Sequence, residues 1–135
     1  MTLNYWAERI HTWAEIKGFW PEGGGFQSRN FAEMVALSHS ELSEALEAHR
    51  DGEPAVWYRH TDECLHAPLN DLYDLQAKRS GCSCSPKTEG WATEYVDTII
   101  RILDTLGAAG VDVDEILERK MAFNDTRPHK HGKAY

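Results

Sequence analysis

The chain contains no long hydrophobic run, and this absence argues against membrane insertion. No segment reaches the roughly 18 consecutive apolar residues that a membrane-spanning helix requires. The N-terminal segment, MTLNYWAERIHTW, has acidic and polar residues where a secretory signal peptide needs an unbroken apolar stretch. We therefore expect a protein that neither spans a membrane nor carries a signal peptide.

Cysteine and positive charge are also scarce. The chain has 3 cysteines, an odd number that argues against a disulfide framework and fits the reducing cytoplasm. It has 14 Lys and Arg against 22 Asp and Glu, and the net charge of -8 repels nucleic-acid backbones and anionic membranes. A polyanionic substrate would therefore need a local positive patch, a bound metal ion, or both.

Strand-like alternation is absent as well, and the apolar residues instead recur at helical spacing. At 135 residues, with 41% hydrophobic residues, the chain is long enough for one domain that spans residues 1–135. Gly18, Gly107 and Gly110 are expected to end helices, and Asp112 with Glu115 forms a capping box. We predict an all-α bundle of four to five helices, at about residues 2–17, 28–50, 88–106 and from 113 onward, with a short helix over 69–78 in an irregular insertion at about 52–88.

Two acidic pairs lie within the apolar stripes of two predicted helices. Glu41 and Glu44 are three residues apart, as are Glu94 and Asp97, and this spacing places each pair on one helix face. If the two helices pack against each other, four carboxylates crowd together, and a hard divalent ion such as Mg²⁺ relieves their repulsion. The alternative is that these side chains are solvated or paired with cations, with Arg101 available to Asp97.

The C-terminal segment carries the cations that the rest of the chain lacks. Lys120 and Asn124 share a helix face, and Arg127 follows them. These residues can supply a positive patch for phosphates. The alternative is a basic helix end that complements the helix dipole.

These residues resemble the MazG-like all-α nucleoside triphosphate pyrophosphohydrolases, relatives of the dimeric dUTPases and dCTP pyrophosphatases. The family's Glu-Glu-x-x-Glu is matched by Ser40-Glu41-Leu42-Ser43-Glu44 except at its first position, and its Glu-x-x-Asp is matched by Glu94-Tyr95-Val96-Asp97. The segment from Lys120 to Arg127 is similar to the family's Lys-Met-x-x-Asn-x-x-Arg ending. The resemblance covers most of the chain except residues 52–88.

The resemblance implies hydrolysis of a nucleoside triphosphate, NTP or dNTP, to the monophosphate and pyrophosphate, in a house-cleaning or pool-balancing role. It implies Mg²⁺, for which Mn²⁺ can substitute, and a homodimer or homotetramer. The implied metal ligands and catalytic residues are Glu41, Glu44, Glu94 and Asp97, and the implied nucleotide contacts are Lys120, Asn124, Arg127 and Asn30. Ser40 and the long gap between the acidic pairs depart from the family pattern.

Two rival interpretations follow from the same residues. The first is a non-catalytic helical module that binds a nucleotide, a metal or a protein partner, with Ser40 as the sign of lost chemistry. The second, a di-iron bundle, is disfavoured because neither acidic helix contains a Glu-x-x-His pair.

The insertion also contains potential zinc ligands: His60, Cys64, His66, Cys82 and Cys84. Paired cysteines of zinc sites usually have two or more residues between them, whereas Cys82 and Cys84 have one. The sequence therefore favours loop thiols and surface histidines, and a structural zinc site at His60, Cys64, Cys82 and Cys84 stays open.

Overall fold

The computed structural model describes residues 1–60, 73, 75 and 84–129. Within these residues the chain forms four α-helices: α1 (Leu3–Ile16), α2 (Phe31–Arg50), α3 (Trp91–Ala108) and α4 (Val113–Asp125). The all-α class is thus confirmed. Helix α2 begins at Phe31, whereas the sequence predicted its start near residue 28. None of the helices in this part of the chain combines the length and apolarity that a bilayer crossing demands.

The expectation that no strand forms is wrong. Strand β1 (Trp57–Arg59) pairs with β2 (Lys87–Glu89) in antiparallel register, with Tyr58 opposite Thr88. Three residues are too few to show an alternating pattern, and the partners are distant in sequence, so the pairing leaves no local signal. The strands stand at the two ends of the predicted insertion. The short helix predicted over residues 69–78 and the tail from residue 130 fall outside the described residues, apart from positions 73 and 75.

The chain folds into two compact units. The first combines Met1–Asn30 with Ile102–Tyr135, and the second is Phe31–Arg101. The acidic pairs therefore belong to the second unit, whereas α1, α4 and the end of α3 belong to the first.

In the first unit, α1 and α4 cap each other's N-termini. The Asp114 carboxylate accepts hydrogen bonds from the backbone N–H groups of Leu3 at 3.0 Å and Asn4 at 3.1 Å. In return, the Asn4 side-chain oxygen accepts from the N–H of Val113 at 2.7 Å. The first-turn N–H groups of both helices thereby find acceptors, which an isolated helix lacks.

The predicted cap of α4 is half right. Asp112 accepts from the N–H of Glu115 at 3.0 Å, as expected of an N-cap. This bond and the amide of Asn4 lower the pKa of the Asp112 carboxyl, with the Asn4 hydrogen bond as the larger cause. The Glu115 carboxylate, however, is paired with Arg119 four residues later, at 2.7 Å, because an i,i+4 cation is within reach on the same face.

Gly107 does not end α3, which continues to Ala108. A Cβ atom at position 107 would lie 2.5 Å from the Ala7 carbonyl oxygen and 3.0 Å from the His11 Cβ. The glycine therefore permits α1 and the end of α3 to approach closely. Gly110, with φ of 65°, ends the helical segment as predicted.

In the second unit, a turn at Gly90 sets the start of α3. Gly90 has φ of 103°, and a Cβ there would collide with the carbonyl oxygens of Pro54 and Ala55. The N–H of Ala92 donates to the Ala55 oxygen at 3.0 Å, which ties the first turn of α3 to the loop that follows α2. This hydrogen bond helps to set where Glu94 and Asp97 lie relative to α2.

Candidate metal centre

Three carboxylates from α2 and α3 form what we call the acidic group: Glu41, Glu94 and Asp97. One oxygen from each lies within 4.8 Å of an oxygen from the others. Glu41 is only 7% exposed, and Glu94 and Asp97 are half-buried. The structure therefore brings together three of the four carboxylates that the sequence singled out.

Glu41 lies in the group because it belongs to the buried face of α2. Met34, two turns before it, and Ala45, one turn after it, are buried as well. Glu94 and Asp97 are three residues apart near the start of α3, so both side chains leave the helix on one side. Local helix geometry thus places Glu94 and Asp97 on one side of α3, and the packing of the second unit brings Glu41 to them.

Glu44, the fourth predicted ligand, remains outside the acidic group and is exposed. It is nevertheless close enough for its charge to raise the pKa of Glu94. Ser40, at the position where the resembling family has its first acidic residue, donates its hydroxyl to the Leu37 carbonyl oxygen at 2.7 Å. The hydroxyl is thus bonded within its own helix.

The surroundings of Glu94 and Asp97 disfavour their charged forms, which raises the pKa of both carboxyl groups. Burial is the largest cause that raises the pKa of Glu94, followed by repulsion from Asp97, Glu44 and Glu41. Burial also leads the causes that raise the pKa of Asp97, followed by repulsion from Glu41. Glu94 and Asp97 thus hold their protons more tightly than free carboxyl groups do, as expected where anions share a desolvated space.

Arg101 neutralises part of the negative charge of the acidic group. Its Nε and Nη2 atoms each lie 2.6 Å from the Glu41 Oε1 atom, across the interface between α3 and α2. The sequence offered Arg101 to Asp97, four residues earlier, and the closest contact that the structure shows is with Glu41. The guanidinium still lowers the pKa of Asp97, although burial and Glu41 outweigh it.

Two residues of β2 that the sequence did not single out also act on the group. Lys87 lowers the pKa of both Glu94 and Asp97 by its charge. Glu89, 8% exposed, raises the pKa of Asp97 and is held by Lys87 at 3.2 Å and by Arg59 at 3.1 Å. Their role depends on the strand pairing, for which the sequence carried no signal.

The predicted nucleotide contacts lie in the first unit. Lys120 and Arg127 are exposed, Asn124 is half-buried on α4, and Asn30 is exposed before α2 begins. Their assignment to phosphates or to the nucleotide stays a prediction.

The donor set of the acidic group fits a hard divalent ion. Oxygens bound to one Mg²⁺ at about 2.1 Å lie about 3 Å apart when adjacent and about 4.2 Å apart when opposite. The oxygens of the acidic group lie within 4.8 Å of one another, which is at most about 0.6 Å beyond the opposite spacing and about 1.8 Å beyond the adjacent one, differences that rotamer changes can close. Glu41, Glu94 and Asp97 are thus the residues that would hold such an ion.

Comparison with known proteins adds no relative to this picture. No protein-family model matches the chain, and there is no significant match to a curated protein or to a solved structure.

Proposed function

We propose that the protein is a Mg²⁺-dependent nucleoside triphosphate pyrophosphohydrolase, which cleaves an NTP or dNTP to the monophosphate and pyrophosphate. The observation that carries the proposal is the acidic group, in which Glu41, Glu94 and Asp97 offer oxygens within 4.8 Å of one another. The raised pKa values of Glu94 and Asp97 support it, because burial and crowding of anions are the conditions that favour a bound cation. The resemblance of the two acidic motifs to the MazG-like family supplies the reaction.

Bound Mg²⁺ supplies positive charge that neutralises phosphate oxygens and lowers the pKa of water. Binding of the ion, binding of the nucleotide and proton transfer are assigned to residues of the chain. The acidic group would hold and orient the ion, and the resemblance to the MazG-like family assigns nucleotide contacts to Lys120, Asn124, Arg127 and Asn30. Glu44, which is exposed and outside the acidic group, accepts the proton of the water that cleaves the anhydride bond between the α- and β-phosphates.

Arg101 serves as the cation of the metal-free state in this proposal. Its guanidinium contacts Oε1 of Glu41, so the ion must share that carboxylate with it or displace it. The same contact supports the second candidate function, a non-catalytic module, because an arginine that already neutralises Glu41 lowers the need for a metal. Ser40 in the place of an acidic residue points in the same direction.

Pyrophosphate release from a panel of NTPs and dNTPs, with Mg²⁺ present, distinguishes the two candidates. The enzyme releases pyrophosphate from at least one nucleotide, and Glu41→Gln and Asp97→Asn each lower the rate about a hundredfold or more while circular dichroism shows the helices intact. Glu47→Gln, an exposed carboxylate on α2 outside the acidic group, keeps full activity. Nucleotide or metal binding without turnover supports the non-catalytic module, and full activity in both site variants contradicts the site assignment.

Two further variants separate the roles within the site. Glu44→Gln lowers kcat while Mg²⁺ binding persists, because the water loses its proton acceptor and the ion keeps its ligands. Lys120→Ala raises KM, because a phosphate contact is lost. If Glu44→Gln loses Mg²⁺ binding instead, Glu44 is a ligand and another group accepts the proton.

We extend the proposal to a cytoplasmic homodimer or homotetramer. Large apolar side chains remain exposed on α2 and α3 within the second unit, among them Leu46 at 49%, Tyr95 at 52% and Ile99 at 49%. Exposed apolar residues in such number are typical of surfaces that a protein partner covers. Analytical ultracentrifugation of the full chain measures the assembly, and a monomer at micromolar concentration contradicts it.

A further inference from the structure

The second unit contains a histidine and a cysteine in contact, far from each other in sequence. His60 directly follows β1, and Cys84 lies three residues before β2. The His60 Nδ1 atom is 3.2 Å from the Cys84 Sγ atom, although 24 residues separate them. The pair therefore stands at the open end of the two-stranded sheet, where the intervening chain leaves and returns.

Burial distinguishes this histidine from an ordinary polar loop residue. His60 is 2% exposed, and Cys84 is half-buried. The expectation of a surface histidine is thus wrong for His60, because the strand pairing draws it inward. Imidazole nitrogen and cysteine sulfur are both common zinc ligands, and here they lie beside each other in a buried place.

We propose that His60 and Cys84 are two ligands of a structural zinc ion at the open end of the β1–β2 pair. Zinc favours imidazole nitrogen at about 2.0–2.1 Å and thiolate sulfur at about 2.3 Å, so these two ligand atoms lie about 3.6 Å apart on a tetrahedral ion. The observed 3.2 Å is within a few tenths of an ångström of that spacing. A direct hydrogen bond between the imidazole and the thiol is the competing explanation.

The size of the sheet supports the metal. Among the residues that the structure describes, β1 and β2 pair with each other alone, and two strands of three residues are marginally stable on their own in water. An ion bound by one residue after β1 and one before β2 would join the ends of this pair and close the long connection between them. Cys64 and Cys82 lie outside the described residues, and the proposal assigns no position to them.

The proposal is independent of the proposed function, because none of its residues belongs to the acidic group. Glu41, Glu94 and Asp97 offer only oxygens, which suit Mg²⁺, whereas His60 and Cys84 offer nitrogen and sulfur, which suit zinc. Failure of either proposal therefore leaves the other unchanged.

Elemental analysis of the full chain tests the site. Protein produced with zinc and dialysed into metal-free buffer retains about one zinc per chain, and Cys84→Ser and His60→Ala each reduce this at least tenfold. His39→Ala, an exposed histidine on α2, and Glu41→Gln retain the zinc. Wild-type protein without stoichiometric zinc overturns the proposal, as does zinc that persists in Cys84→Ser or disappears in Glu41→Gln.

Cobalt substitution keeps the test valid if the variants fail to fold. Wild-type protein loaded with Co²⁺ shows the thiolate-to-cobalt charge-transfer band and the visible spectrum of a tetrahedral site, and the band intensity counts the thiolate ligands. A spectrum of octahedral oxygen coordination, with no thiolate band, overturns the proposal and leaves the hydrogen bond as the explanation of the contact.

Discussion

Asp97→Asn is expected to stabilise the metal-free protein, although it removes a residue of the proposed active site. The substitution keeps the shape of the side chain and deletes one of three negative charges whose oxygens lie within 4.8 Å. At that distance each pair of charges repels by about 3.5 kcal/mol at an effective dielectric constant of 20, and by about 0.9 kcal/mol in bulk water.

The expected net gain is smaller than these pairwise values. Asp97 is only half-buried, so solvent screens the repulsion, and the substitution also removes the attraction of Arg101 and Lys87. We expect the free energy of unfolding to rise by about 1 kcal/mol at pH 7, which for a domain of this size raises Tm by about 4 °C.

The effect depends on pH with a definite sign. The pKa of Asp97 is raised above 3.8 in the folded chain, so its charge costs stability at every pH above the folded pKa. That cost shrinks as the pH falls through the folded pKa and is gone below the unfolded value. The difference in stability between Asp97→Asn and wild type is therefore full at pH 7 and disappears near pH 4.

Thermal denaturation in EDTA measures the stability of the metal-free protein, and the same measurement in Mg²⁺ shows whether the ion stabilises it. If the proposed site binds Mg²⁺, we expect the ion to stabilise the wild-type protein by about 2.7 kcal/mol at a hundred times the Kd, and we expect Asp97→Asn to lose this gain. Glu47→Gln matches the wild type in both buffers. An Asp97→Asn protein that melts at or below the wild-type temperature in EDTA at pH 7, and that still responds to Mg²⁺, would refute the reasoning.

Two further substitutions test the packing around the site. Arg101→Met should lower the metal-free stability by about 2 kcal/mol, because Glu41 is buried and loses its cation, and added Mg²⁺ should restore part of the loss in a denaturant titration. An unchanged midpoint would mean that the ion pair contributes nothing in solution. Gly107→Ala should lower the Tm although alanine favours helices, with a cost of about 1–3 kcal/mol, because its Cβ would meet the Ala7 carbonyl oxygen at 2.5 Å. A gain in Tm would show that α1 and α3 are not so closely packed.

The helices could be predicted from sequence because their signals are local. The helical spacing of apolar residues predicted α1 to α4. Asp112, a residue type that commonly caps helices, predicted where α4 begins. Gly107 was misjudged because a glycine that ends a helix and one that admits a neighbouring helix look the same in sequence. Only the position of Ala7 distinguishes them.

The three-residue spacing within each acidic pair, Glu41 with Glu44 and Glu94 with Asp97, was a property of the sequence. The convergence of Glu41, Glu94 and Asp97 was decided by tertiary structure, which buries the Glu41 face of α2, anchors the start of α3 at Gly90, and brings Arg101 into contact with Glu41. The meeting of His60 with Cys84 was decided in the same way, by a strand pairing that bridges distant residues. Contacts between distant segments depend on the free energy of the whole packed unit. A single sequence shows only the interactions between residues that are close along the chain, so it cannot reveal these contacts.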